Sequence, residues 1–201
     1  MASSATERIL DMVQGRCPRL PRNAAAQYFR TALARLAQDT ESWRCRIPLA
    51  PPPAPRSSYP PSGLWLPPLR VNARYGRVVI LREPGGRPLC RAHRNGAELS
   101  PAEPWRIPPG AQLVAEVSLY PSEEGPCDMP DEVLQDLAPA VTEYAVHLAA
   151  STAHSAWTDA ATASDAYARY ARELSRLLVT AARDATGMVA RTALPLIERN
   201  A

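Results

Sequence analysis

The sequence predicts an α+β protein. It has N-terminal helices and a proline-rich arm, then a small antiparallel sheet, then alanine-rich C-terminal helices. Three observations carry this. Apolar residues recur at helical spacing near both ends. In the middle they alternate with a period of two, and the turns there are too short for helical crossovers. A proline block separates the first helical stretch from that middle. The expected divisions are 1–47 helical, 48–68 proline-rich, 69–120 β, and 121–201 helical and packed with the sheet.

A first helix is expected over 4–14, with Ile9, Leu10 and Val13 on its apolar side and Gly15 as its stop. A second follows the basic stretch 16–22. Asn23 is read as its N-cap, and Ala25, Phe29, Leu33 and Leu36 as its buried stripe. Proline then fixes the backbone and removes amide donors, so 48–68 is read as extended. Exposed, it would offer Pro52, Pro53, Pro55 and Trp65 as an interaction arm for an aromatic groove; the more ordinary reading is an ordered arm or linker anchored by Trp65 and Leu66.

Leu69, Val71 and Ala73 alternate with Arg70, Asn72 and Arg74, which describes a half-buried strand. Tyr75-Gly76 is expected to interrupt or turn it. A short strand over 78–81 follows, then a Pro84-Gly85-Gly86 turn. Asn95-Gly96 pairs 89–94 with 97–99. A further strand spans 112–120. Pro130, Asp131 and Glu132 open a long helix, because acids suit the positive end of its dipole. Leu134, Leu137, Val141, Tyr144, Ala145 and Leu148 make its stripe, and Pro139 is expected to kink it. A last helix runs over 160–185, with Tyr170, Leu174, Leu177, Leu178 and Ala181 buried.

With 201 residues, 46% of them hydrophobic, the chain has material for a sizeable core. No apolar run is long enough to span a bilayer, and the first residues, with Glu7 and Asp11, do not read as a secretory signal. All 23 basic residues are arginine. GC-rich coding explains this blandly, and a demand for bidentate phosphate or carboxylate binding explains it functionally. Charge is split along the chain: residues 1–94 carry a net +11, 95–168 a net −11, and the remainder a net +3. Such asymmetry steers a polyanion, or holds the protein's own parts or copies together.

The four cysteines are widely spaced, which points to reduced thiols in the cytoplasm or nucleus. Cys90 and His93 form half of a zinc site and need two more ligands, so no metal and no cofactor are expected. Glu143, His147 and His154 fall within about 40° on a helical wheel, but His154 is about 10 Å further along. They read as a solvated helix face. Phosphate-loop, dinucleotide-loop and nucleophile-elbow motifs are absent, so no enzyme is expected.

These readings favour a non-enzymatic assembly or adaptor protein whose partner is itself or another protein, with no membrane. The alternative is an RNA- or DNA-binding, coat-like protein. It uses Arg70, Arg74, Arg77, Arg82, Arg87, Arg91 and Arg94 to follow phosphates while Tyr75 stacks on a base.

Overall fold

The computed structural model describes residues 4–49, 64–69, 71–108, 110–122 and 127–187, without the side chains of 77, 78 and 182–187. Pro52, Pro53, Pro55 and Arg70 therefore lie outside the described residues, as does the side chain of Arg77. The chain forms two compact units. The described residues of 4–43 and 120–187 make one, and those of 44–119 make the other. The α+β class is as the sequence predicts, and no described helix is long and apolar enough to cross a membrane.

The first unit is helical. It contains α1 (Ala5–Arg16), α2 (Arg22–Thr40), α3 (Asp131–Ala150) and α4 (Ala160–Gly187). Ser4 caps α1 by accepting the Glu7 N–H at 3.3 Å. Gly15 does not end that helix. It runs to Arg16, and the Cys17 N–H closes it on the Val13 carbonyl. Asn23 is not the cap of α2. The helix starts at Arg22 after Pro21, and Asn23 Oδ1 accepts from the Ala24 N–H instead.

Helix α3 packs against the other three helices. Leu134, Leu137, Val141, Ala145 and Val146 are buried along it, as are Ala149 and Ala150 at its end. A helix apolar on most sides has to be covered on most sides. Ile9 and Val13 of α1 are likewise buried in this unit, as are Phe29, Leu33 and Leu36 of α2.

Residues 151–159 join α3 to α4 as a helical hairpin, closed by the Asp159 N–H on the Ala150 carbonyl at 3.0 Å. His154 sits in this turn with φ 59° and is exposed, so it does not share the helix face of Glu143 and His147. Asp159 caps α4. Its carboxylate accepts from the Ala161 N–H at 3.0 Å, the Thr162 N–H at 3.2 Å and the Thr162 hydroxyl at 2.7 Å. Chiefly the Thr162 bonds hold this carboxyl below its ordinary range.

The second unit is an antiparallel sheet. Its strands are β1 (Arg44–Pro48), β2 (Leu64–Trp65), β3 (Ala73–Arg82), β4 (Pro88–Asn95), β5 (Glu98–Pro101) and β6 (Val114–Pro121). Their order is β1-β6-β3-β4-β5-β2. Cys45 and Ile47 of β1 stand opposite Val117 and Ala115 of β6, and all four are buried. The predicted hairpin at Asn95-Gly96 is present: Asn95 pairs with Glu98, and Gly96 takes the positive φ of 62° that the turn needs.

Tyr75-Gly76 does not turn the chain. β3 is one ten-residue strand that runs through it, and residues 69–72 precede the strand rather than belong to it. The glycine serves a close approach. A Cβ at position 76 would lie 2.2 Å from Ser118 Oγ and 3.1 Å from the Ser118 carbonyl oxygen.

Two measurements test these local arguments. Gly76→Ala forces β3 away from Ser118 and is expected to lower unfolding free energy by about 1–3 kcal/mol in urea titration. Asp159→Ala is expected to lower the melting temperature at pH 7. The folded-state carboxyl is depressed, so its stabilisation is full above the ordinary carboxylate value and fades as pH falls through the folded one. Melting curves of the two proteins should therefore converge in acid.

Candidate interaction surface

Helix α4 has 28 residues and α3 has 20, so at 1.5 Å per residue α4 outruns its partner by about 12 Å. Its inner side is buried through Ala163, Ala166, Tyr170 and Leu177. Leu178 is not on that side, contrary to the expected stripe. It is 44% exposed, because it lies about 100° around the helix from Leu177. Tyr167, 52% exposed, shares the outer face with Leu178. Val179, also 52% exposed, lies further round. Ser164, Ala168, Ala171 and Ser175 complete the outer face, and all four are exposed.

An aromatic cluster fixes the base of this face. Tyr144 and Tyr170 stack at 4.5 Å between centroids, across α3 and α4. His147 lies 6.0 Å from the Tyr144 ring and 5.0 Å from Tyr167. Stacked pairs of this kind add about 0.5–1.5 kcal/mol beyond their buried area. His147 Nδ1 is 3.0 Å from the Ala163 carbonyl, which can only accept, so this nitrogen carries the proton. Burial, and then the charge of Asp39, push the Tyr170 hydroxyl above its usual range. The Glu143–His147 face is therefore not simply solvated. Glu143 pairs with Arg16, which also reaches Asp165 at 3.5 Å, and His147 is held between rings.

In the sheet unit, one carboxylate organises the polar face. Glu116 on β6 is 7% exposed. Its Oε2 is 2.8 Å from Arg82 Nε on β3 and 3.4 Å from Arg46 Nε on β1, and its Oε1 is 3.8 Å from Arg44. Arg82 is 5% exposed, and its Nη1 donates to the Gly86 carbonyl at 2.9 Å. Neither Glu116 nor its β1 partners stood out in the sequence. The residue-by-residue strand register, which places Arg46 opposite Glu116, is what reveals them.

This arrangement overturns the expected arginine-rich nucleic-acid face. Tracking a phosphate backbone needs a row of unpaired cations. Arg82 is buried on Glu116 instead. Arg94 is exposed, but it is tied to the Gly96 carbonyl at 2.8 Å and the Tyr75 carbonyl at 3.3 Å. Tyr75 is half-buried and donates its hydroxyl to the Pro67 carbonyl at 2.6 Å, and burial pushes its pKa up to about 12. It is not a free stacking platform. Arg74, Arg87 and Arg91 remain exposed, on β3, in the following turn and on β4 respectively.

Trp65 does not anchor the proline-rich arm by burial. It is 57% exposed on β2, while its neighbour Leu66 is buried. Trp105 is 69% exposed after β5. An open groove of about 420 Å³ is lined by Ile80, Pro88, Leu89, Cys90 and Arg91, with the Glu103–Arg106 ion pair beside it. Cys90 and His93 do not come together with further ligands. Cys90 is buried, His93 is exposed, and no group of three metal-ligating side chains occurs among the described residues. All four cysteines are free. Burial raises each thiol, Cys45 to about 12, so none is primed as a nucleophile.

Glu116→Ala should cost about 3–5 kcal/mol of stability, because it leaves Arg82 buried without its counter-charge. Arg46→Ala, at the half-buried rim, should cost less, about 1 kcal/mol. Chemical denaturation of the two variants checks the difference. No protein-family model matches the chain, and comparison with curated proteins finds no relative.

Proposed function

We propose that this chain is a non-enzymatic assembly or adaptor protein that associates with itself. The outer face of α4 carries the reading. Tyr167 and Leu178 present large apolar surface to water from one face of the helix that outruns α3. Contiguous apolar surface of this kind marks an interaction site more often than isolated exposed side chains do. The serines and alanines between them add little bulk, so a second helix can approach closely. The free thiols suit a reducing compartment, the cytoplasm or nucleus.

Sedimentation equilibrium at tens of micromolar tests this. The expected mass is a multiple of the 21.9 kDa chain. Leu178→Glu should return the monomer mass with helical content unchanged, because the side chain it replaces is exposed. A strict monomer at those concentrations overturns the reading.

A further inference from the structure

We infer that the partner of α4 is the α4 of a second copy, packed antiparallel about a two-fold axis between Ala168 and Ala171. This deepens the self-association reading and rests on it. Ser164, Ala168, Ala171, Ser175 and Leu178 are all exposed, and they are spaced four, three, four and three. That is the 3.5-residue repeat of a helix seam. In the antiparallel pair Ala168 meets Ala171 of the other copy. Ser164 meets Ser175. Leu178 lies over Ala161, so a large residue faces a small one.

The two flanks of the seam set the direction. On one flank stand Asp165 and Arg172, seven residues apart. Arg172 is exposed and has no ion-pair partner among the described residues. Asp165 is 52% exposed and faces Arg169 at 2.9 Å and Arg16 at 3.5 Å within its own chain. An antiparallel arrangement places each Asp165 beside the other copy's Arg172, twice per dimer. On the other flank Tyr167 meets Leu174 of the second copy, also twice. A parallel arrangement brings neither pair together, because it sets flanking positions of unlike type against each other. The two-fold pairing is isologous and closes at two copies.

The experiment combines a charge swap with cross-linking. Arg172→Asp sets like charges against Asp165 and should weaken dimerisation about tenfold in sedimentation equilibrium. Adding Asp165→Arg restores opposite charges and should recover most of that loss. The double variant Ala168→Cys with Ala171→Cys should form an intermolecular disulfide on mild oxidation. All altered side chains are exposed, and circular dichroism confirms the fold. If the unaltered chain is a monomer, the self-association reading fails and this inference with it. If it dimerises but ignores Arg172→Asp, or gives no cross-link, the antiparallel α4 seam alone is overturned.

Discussion

The covering of α3 governs the helical unit. This helix is apolar over most of its circumference, and three other helices pack on it. Two of them, α1 and α2, lie on the far side of the whole sheet in sequence. The chain therefore has to close on itself before the core exists. The burial of Leu134, Leu137, Val141 and Ala145 supplies the driving force, at about 25 cal/mol per Å² of apolar area. The Arg16–Glu143 pair, half-buried and 127 residues apart in the chain, then fixes the orientation. Once α3 is covered by α1, α2 and α4, exposed large apolar side chains remain at Tyr167, Leu178 and Val179 of α4 and at Met12 of α1.

The charge asymmetry along the sequence is partly answered inside the fold. Arg16 from the basic first half meets Glu143 and Asp165 from the acidic stretch. In the sheet, Arg44, Arg46 and Arg82 meet Glu116. The complementary halves are thus spent in part on folding. An arginine count carries no information about binding until the acids that face each guanidinium are known. This separates the sheet arginines, several of them tied down within the fold, from Arg172, which is left facing water.

Much of the architecture was legible because it is local. Periodicity located all four long helices, and Asn95-Gly96 located a hairpin. The misreadings have identifiable physical causes. Gly76 looked like a turn because a glycine that relieves a close approach is indistinguishable in sequence from one that bends the chain. Asn23 looked like a cap because its oxygen does bond a neighbouring amide, one position into the helix. The sequence places Leu178 in the core because three apolar residues over 174–178 leave the width of the stripe undetermined. Glu116 was invisible because its meaning lies in the register of β1 and β6, a non-local property.

The insertion of a sheet between α2 and α3 has a consequence for synthesis. About 90 residues separate the end of α2 from the start of α3. At about 5–20 residues per second, the apolar faces of α1 and α2 wait roughly 5–20 s before their cover leaves the ribosome. During that interval Ile9, Phe29, Leu33 and Leu36 are an open invitation to chaperones. The sheet, whose strands all lie within residues 44–121, is free to form first. Nascent-chain folding is therefore ordered from the middle outward, with the two ends joining last.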